Sequence, residues 1–420
     1  MTVIDAVGRF ITQFLGRFRR RRSSDADDRR SMPDRILLIQ LDHLGDALLT
    51  SAMLEPIRRR WPSAKIEVLC GPAGRDVFEL SPFVDRVHVS RVNRFSRGLR
   101  RRRLWPVALF YWAIRLRRQR FDVAIDVRGE LPHALLMRLT GARRRIGWSA
   151  GGGEFLLTDS PQYVPGRPEL ESRAALLACL GIDVASEDLR SHLPVDSQVG
   201  QLLDRQIDSE TGCCHGTDRV REDLPPGPRI AIHPGAGTEA KRWPREYWLD
   251  LIVRLLRRYD RATVVFVGGR DDRSHAEYLL DATRQLADAG EIPSGRIVDR
   301  TGRLTLARSA ALIARCDLMI GADSGPAHLA AAVTTPTLVL FSGTNVVEQW
   351  RPAGEHVTTL AVDVPCRSCR ATVCPHADHP CMRGILPADV LGRCEEMLQL
   401  PIELEHSTND EELPASVSEL

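Results

Sequence analysis

The chain has 420 residues, a formal net charge of +3 and ten cysteines. This length exceeds what one hydrophobic core usually supports, so it favours two domains. The near balance of 58 basic and 55 acidic residues disfavours nucleic acid as a partner. No stretch approaches the roughly 20 apolar residues that span a bilayer, and a secretory signal is not recognisable, so we expect a cytoplasmic protein.

Residues 1–33 are predicted to be a basic amphipathic leader and linker. Apolar residues recur there at helical spacing before a block of arginines, a pattern typical of a helix lying on an anionic membrane surface. Peripheral binding to the cytoplasmic face of the inner membrane would follow. The alternative is a solvated basic leader, which the same composition also favours.

Two stretches then alternate apolar strands with helices, which predicts parallel sheets covered on both faces. The first, residues 34–195, contains a predicted helix at 46–60. The second spans residues 228–400. Residues 196–227 are polar and end in Pro and Gly, which predicts an interdomain linker, and the acidic residues 401–420 are predicted to be disordered. Two such α/β halves commonly hold a ligand in the cleft between them, at the carboxyl ends of their strands.

The loop after the first strand reads LDHLGD and carries Asp42, Gly45 and Asp46. A carboxylate there can act as a general base facing the cleft. The alternative for Asp46 is a purely structural cap of the following helix. Spacing alone does not separate these two interpretations.

The first strand of the second half runs into HPGAGTEAK, which carries Gly237, Thr238 and Lys241. Glycines expose backbone N–H groups and a lysine adds a point charge, a combination that suits phosphate. The spacing is not that of a P-loop, which disfavours that class of kinase or ATPase. A solvated loop lysine is the alternative, but Lys65 and Lys241 are the only lysines among 58 basic residues, which suggests that a compact ammonium is required here.

A second polar stretch, GADSGPAH, ends an apolar strand and begins a helix. Asp323, Ser324 and Gly325 stand at the junction, and His328 follows Ser324 by four residues, on the same helical face. Exposed N–H groups at that terminus would hold a diphosphate, with Asp323 capping the helix or holding a hydroxyl or His328.

The arginine-rich segment 94–121 flanks an aromatic stretch in the first half. Its arginines, Arg101 and Arg102 among them, suit phosphate or carboxylate groups of an acceptor, and its aromatics suit a membrane interface. An amphipathic surface helix packed on the sheet is the alternative.

Four cysteines cluster late in the chain: Cys366, Cys369, Cys374 and Cys381. With neighbouring histidines they could form a structural zinc or iron–sulfur site, although only the first pair has zinc-like spacing. Reduced or reversibly oxidised thiols in a structural loop are the alternative.

Three stretches together resemble glycosyltransferase family 9, the heptosyltransferases of lipopolysaccharide core: RILLIQLDHLGDALLTSAMLEPIRRRWPSAKIEVL, IHPGAGTEAKRWPREYWLDLI and LMIGADSGPAHLAAAVTTPTLVLFSGTN. The resemblance implies a GT-B fold, with two Rossmann-like domains facing each other across a cleft. The acceptor would bind the first domain and the nucleotide-sugar the second. It further implies inverting transfer that needs neither metal nor cofactor.

Carried over by motif position, Asp46 would be the base that takes the acceptor proton, and Lys241 would neutralise the diphosphate leaving group. Asp323, Ser324, Gly325 and His328 would hold the nucleotide diphosphate. From their positions in the loops after the strands, we also expect Gly237 and Thr238 to bind the nucleotide-sugar and Asp42 to contact the acceptor. The implied partners are a nucleotide-diphosphate sugar, plausibly ADP-heptose, and a lipid-linked glycan. The chain reads SGT at 342–344 where relatives often read GPT, so another donor on the same scaffold is an alternative.

Two rivals come from other classes. A non-catalytic nucleotide-sugar-binding scaffold would not need an acceptor-side base such as Asp46. A metal or redox protein centred on the cysteines would not bind sugar nucleotides.

Overall fold

The structure is a computed structural model that describes residues 32–92, 105–191, 193–195, 228–259 and 262–399. The predicted leader up to residue 31, the predicted linker at 196–227 and the predicted tail at 401–420 lie outside these residues. Arg101 and Arg102 also lie outside them. The interpretations of these segments therefore stay predictions.

The described part of the first half contains five parallel strands: β1 (Arg35–Gln40), β2 (Lys65–Cys70), β3 (Arg86–Val89), β4 (Val123–Asp126) and β5 (Arg144–Ile146). They form one sheet in the order β3-β2-β1-β4-β5. The central strand pairs with both neighbours, so that Ile36 lies opposite Ile66 and Val123. A central strand covered on both faces reads as a continuous apolar run, which is why the sequence revealed it.

The helices of this half are α1 (Leu44–Ser51), α2 (Leu54–Arg60), α3 (Arg75–Glu79), α4 (Trp105–Arg117), α5 (Leu131–Thr140) and α6 (Glu169–Cys179). The single helix predicted at 46–60 is wrong, because two helices occupy that stretch. Pro56 lacks the N–H that a continuous helix would donate to Ala52, and it is tolerated where it stands, in the first turn of α2.

The second half contains six parallel strands in its described part: β6 (Arg229–His233), β7 (Thr263–Phe266), β8 (Ile297–Asp299), β9 (Leu318–Ala322), β10 (Thr337–Phe341) and β11 (Val357–Ala361). Their order is β11-β10-β9-β6-β7-β8. Strands β10, β9 and β6 are neighbours, so the loops that follow them meet at one edge of the sheet.

The helices of the second half are α7 (Arg245–Arg258), α8 (Arg273–Asp288), α9 (Leu306–Ile313), α10 (Gly325–Ala332), α11 (Val347–Trp350), α12 (Pro380–Arg383) and α13 (Pro387–Gln399). Helix α10 begins where the sequence predicted, directly after Ser324, with Pro326 in its first turn. Among the described helices, none combines the length and apolar character needed to cross a bilayer.

The two halves meet through helices α1 and α10, and one apolar cluster includes Leu48 from the first half and Leu329 from the second. A Cβ on Gly325 would lie 2.8 Å from Leu44 Cδ2, so the absence of a side chain permits this approach. Gln349 adds polar contacts across the junction, donating to Tyr163 Oη and Glu169 Oε1 at 2.9 Å each. Both helices begin in the polar loops singled out from sequence, so the junction places these loops beside each other.

Candidate functional site

Lys241 and Asp323 form the central ion pair of the second half. Lys241 ends a short 3-10 helix, Glu239–Lys241, and its Nζ lies 2.7 Å from Asp323 Oδ2 and 3.2 Å from the Asp323 carbonyl oxygen. Asn345 Nδ2 donates to the same carboxylate oxygen at 2.6 Å. The structure therefore brings Lys241 and Asp323 together, and it adds Asn345, which the sequence analysis missed.

Asp323 does not cap helix α10. Asp323 is 5% exposed, and its carboxylate is engaged by Lys241 and Asn345. Instead it holds the ammonium group of Lys241 beside the first turn of α10. A fixed cation next to a helix N-terminus is a favourable environment for a phosphate group.

Ser324 belongs to a second hydrogen-bonded array. Its hydroxyl does not cap α10 but lies 3.1 Å from His233 Nδ1 and donates to the Ala322 carbonyl at 3.1 Å. His233 Nε2 lies 3.2 Å from Asp272 Oδ2, and Gly269 N–H donates to the same oxygen. His233 and Asp272 thus fix the orientation of Ser324.

Asp272 stays acidic in this array. Burial alone would raise the pKa of its carboxyl, but the hydrogen bond and the charge of His233 hold that pKa below its usual value. Neither His233 nor Asp272 was predicted as a site residue. The position of His233 at the end of β6 was the available signal for one of them.

Gly237 and Thr238 lie in the loop between β6 and Lys241. A Cβ built on Gly237 would touch nothing within 4 Å in the described structure, so packing does not explain this glycine. Thr238 Oγ1 is buried and has no hydrogen-bond partner among the described residues. A buried hydroxyl without a partner is costly, which indicates a group that a ligand satisfies.

His328 lies at the junction of the two halves rather than on an open surface. It is 6% exposed, and a Cβ on Gly45 would lie 2.8 Å from its Cδ2 atom. Burial lowers the pKa of His328, against the opposing charges of Asp323 and Asp46. The imidazole is therefore favoured in its neutral form between carboxylates of opposite halves.

In the first half, Asp42 is a buried carboxyl with an altered acidity. It is 6% exposed, and burial raises its pKa to about 7, with Arg128 opposing the rise and Asp46 adding to it. Its Oδ1 accepts no hydrogen bond from the described residues and lies 3.7 Å from Arg128 Nη1. Arg128 follows β4, the neighbour of β1, and was not predicted as a site residue.

Asp46 is half-buried in the first turn of α1. Its Oδ2 accepts a hydrogen bond from the His43 backbone at 3.3 Å, as part of a capping box with His43 as the N-cap residue. A structural role for Asp46 is thus present. The preceding residue, Gly45, lies against the His328 ring, so Asp46 also stands near the junction of the two halves.

His133 and Asp126 form a buried pair next to Asp42. His133 Nδ1 lies 3.0 Å from Asp126 Oδ1, and Gly129 N–H donates to Asp126 Oδ2 at 2.7 Å. Burial alone would lower the pKa of His133, but the charge and hydrogen bond of Asp126 raise it. The charges of both residues affect the pKa of Asp42. Neither residue was predicted from the sequence as part of the site.

The four clustered cysteines are free thiols. Among the described residues, no group of three or more His, Cys, Asp or Glu side chains is arranged to hold a metal, so the metal site considered from sequence is not assembled here. The loop instead contacts the segment that carries Lys241. Thr372 and His379 bond the backbone of Ala240 at 3.0 Å each, and Cys369 N–H donates to the Gly343 carbonyl at 3.3 Å.

The unusual SGT segment lies under this cysteine loop. The hydroxyls of Ser342 and Thr344, both 3% exposed, lie 2.8 Å apart and hydrogen bond to each other. The next residue in the chain is Asn345, whose side chain donates to Asp323.

Two facing Rossmann-like halves with these polar loops at their junction define a glycosyltransferase of the GT-B fold. The chain belongs to glycosyltransferase family 9 (heptosyltransferase), whose family model matches residues 111–379. This range includes Lys241 and Asp323 and begins after the loop of Asp46.

Relatives of known name are similar along most of the chain. Lipopolysaccharide heptosyltransferase 3 of Escherichia coli is 26% identical over 314 residues, covering 73% of this chain and 83% of that protein. Lipopolysaccharide heptosyltransferase 1 of Pseudomonas aeruginosa is 26% identical over 349 residues, covering 81% and 88% respectively. The family expected from the sequence motifs is thereby confirmed.

Solved structures confirm the fold. The structure of E. coli ADP-heptose lps heptosyltransferase II aligns with a TM-score of 0.65 and 22% identity, covering 87% of this chain and 98% of that one. E. coli heptosyltransferase WaaC with ADP-2-deoxy-2-fluoro heptose aligns with a TM-score of 0.60 and 16% identity, covering 86% and 99%.

Proposed function

We propose that this enzyme transfers a heptose from ADP-heptose to a lipid-linked glycan, lipopolysaccharide core, with inversion at the anomeric carbon and without a metal. One observation carries the proposal: the Lys241–Asp323 pair of one half lies at the start of helix α10, and helix α1 of the other half, which carries Asp46, packs against α10. The names of the relatives, lipopolysaccharide heptosyltransferases, support the choice of sugar and acceptor.

On the donor side, the diphosphate would bind the Lys241 ammonium and the backbone N–H groups at the start of α10. Asp323, whose carboxylate also accepts a hydrogen bond from Asn345, holds that ammonium in place before the ligand arrives, so little reorganisation is required during reaction. Gly237 and Thr238 would supply a backbone N–H and a hydroxyl. Ser324, oriented by His233, would supply another polar contact.

His328 and Gly325 would act on the donor side by shaping the junction. Gly325 lets α10 approach Leu44, and His328 packs against Gly45. We propose that the donor lies against this junction, which would exclude water from the reacting atoms. Such exclusion strengthens the charge interactions within the site.

On the acceptor side, Asp46 would act as the general base. Its carboxylate takes the proton of the acceptor hydroxyl while that oxygen forms a bond to the anomeric carbon. The bond from this carbon to the diphosphate oxygen breaks, and its electron pair leaves with the diphosphate, whose negative charge Lys241 stabilises. Because the acceptor oxygen attacks the face opposite the leaving diphosphate in a single displacement, the configuration at the anomeric carbon inverts.

Asp42 and Arg128 would bind the acceptor next to Asp46. The Oδ1 atom of Asp42 has no hydrogen-bond donor among the described residues, so a sugar hydroxyl could donate to it. Arg128 suits a carboxylate or phosphate of the glycan. Arg101 and Arg102 stay proposed acceptor contacts.

The proposal extends to the limits of the domains. The acceptor domain would comprise residues 34–195 and the nucleotide-sugar domain residues 228–400, joined by residues 196–227. The reaction would take place at the cytoplasmic face of the inner membrane, where the basic leader is one candidate for membrane contact.

A comparison of nucleotides tests the donor. We expect ADP to raise the thermal midpoint of the purified protein, because a ligand that binds only the folded state stabilises it, whereas GDP, UDP and CDP should raise it less. A larger shift with another nucleotide would replace ADP-heptose by a different donor. If none of the four nucleotides shifts the thermal midpoint at several millimolar, the proposed nucleotide-sugar site would be contradicted.

A further inference from the structure

Helix α4 exposes a stripe of large apolar side chains. Val107, Phe110, Tyr111 and Ile114 are 64%, 61%, 53% and 50% exposed. Their spacing of three and four residues places them on one face of the helix. We call this set the α4 stripe. Single exposed apolar residues are ordinary, but four contiguous ones indicate a surface that meets a partner.

The opposite face of α4 fixes the helix to its domain. Ala113 and Leu116 are buried, at 3% and 0% exposure, in a cluster with Leu37 and Phe121. The α4 stripe therefore belongs to a helix that is packed on the sheet through its other side. Its exposure does not result from a loosely attached segment.

Arginines border the α4 stripe. The guanidinium of Arg115 lies over the Trp112 ring at 5.7 Å and donates to Tyr111 Oη at 3.1 Å. Arg118 and Arg120, just beyond the helix, are exposed, and residues 105–121 include no acidic side chain. Exposed aromatic and aliphatic side chains next to arginines suit an interface with anionic lipid headgroups.

Helix α4 also begins next to the proposed acceptor side of the site. The Trp105 ring, at the first residue of α4, contacts the His133 ring in an edge arrangement with centroids 6.3 Å apart. His133 and Asp126 are hydrogen bonded, and the charges of both affect the pKa of Asp42. A surface that binds membrane through α4 would therefore present the acceptor carboxylates close to that membrane.

We propose that the α4 stripe docks this enzyme on the surface of an anionic bilayer and so delivers a lipid-anchored acceptor to the cleft. The second part of this statement rests on the proposed function. At 13 residues, about 20 Å long, α4 would lie along the interface, with its apolar side chains among the headgroups.

The test uses the full chain and vesicles of phosphatidylethanolamine and phosphatidylglycerol. Phe110→Ser with Ile114→Ser should weaken co-sedimentation with these vesicles about tenfold or more, because two large apolar side chains lose their burial. Tyr278→Ser with Leu386→Ser is the matched control, since these side chains are 44% and 48% exposed elsewhere on the protein. The control should bind vesicles as the wild type does.

Activity assays separate docking from catalysis. The stripe variant should lose transfer to an acceptor embedded in vesicles, by a factor similar to its loss of binding. Its transfer to a delipidated acceptor and its ADP affinity should not change. If the wild type transfers no sugar at all, the proposed function fails while the vesicle experiment still decides the docking.

Two results would overturn the docking. One is equal vesicle binding by the stripe variant and the control, which would assign any membrane contact to another segment. The other is a concentration-dependent dimer of the wild type that the stripe variant cannot form, because a second copy of the chain would then cover α4. Light scattering coupled to size exclusion measures the second outcome.

Discussion

Gly45 of the first half lies against His328 of the second so closely that a Cβ on Gly45 would be 2.8 Å from the His328 ring. Both residues lie near the start of their helices. Gly45 directly precedes Asp46 in α1, and His328 follows Ser324 by four residues in α10. The contact therefore determines how near the proposed base comes to the proposed leaving group. Glycine is required at this position by space rather than by backbone conformation.

Gly45→Ala should separate the halves by a small distance. Overpacking of a tight contact costs about 1–3 kcal/mol, and we expect a lower free energy of unfolding and a fall in transfer of at least tenfold. ADP affinity should change little, because Lys241 belongs to one half. Gly392→Ala is the control, since a Cβ there meets nothing within 4 Å in the described structure. If Gly45→Ala transferred sugar at the wild-type rate, the close contact between Gly45 and His328 would not be needed for transfer.

Lys241→Ala should weaken ADP binding by about 10–100-fold, the value expected for one lost charge-assisted hydrogen bond. It should also destabilise the protein, because the buried Asp323 carboxylate loses its ammonium partner. Adding Asp323→Asn should restore stability without restoring ADP affinity. Isothermal titration and urea unfolding of the two variants measure these effects. Unchanged ADP affinity in Lys241→Ala would eliminate its role in the diphosphate site.

Asp46→Asn tests the general base. The amide oxygen can still accept the His43 N–H bond, so helix α1 should remain capped and the fold intact. Transfer should fall by about 10²–10⁴-fold with ADP affinity unchanged, because general-base catalysis contributes about that factor. Steady-state rates with saturating donor are the measurement. A variant that turns over normally would leave only the structural role of Asp46.

Asp42 should make stability depend on pH. Since its pKa rises from 3.8 to about 7 on folding, the folded protein holds an extra proton between these values, and stability falls as pH increases through that range. Asp42→Asn removes this loss. We expect the variant to gain about 1–3 kcal/mol over the wild type between pH 4.5 and 7.5, below the ~4 kcal/mol that the whole shift represents. Urea unfolding at both pH values measures the difference, and a constant difference would contradict the buried, protonated carboxyl.

The sequence was informative where neighbouring strands place their following loops together. Lys241 and Asp323 are 82 residues apart, yet each follows a strand of the second sheet, and they form an ion pair. The order of β6 and β9 in that sheet explains why they meet. The apolar runs also revealed most strands, because buried parallel strands have no polar face.

The sequence was less informative where the partner comes from a distant loop without a motif. Asp272 is 39 residues from His233, and Asn345 is 22 residues from Asp323, and neither separation predicts contact. Strand β5 offers no apolar run to recognise, because its sequence begins with two arginines. The cysteine cluster left a metal site and free thiols open, and among the described residues its thiols are free and do not form a metal site.

Measuring transfer directly tests whether the enzyme is a heptosyltransferase. Purified enzyme would be incubated with ADP-heptose and a lipid-linked core acceptor, with a chelator present, and the product analysed by mass spectrometry and by NMR of the new anomeric centre. We predict that the acceptor gains one heptose with inverted configuration and that Asp46→Asn produces almost none. An acceptor of unchanged mass, from enzyme that binds ADP, would contradict heptose transfer to this acceptor.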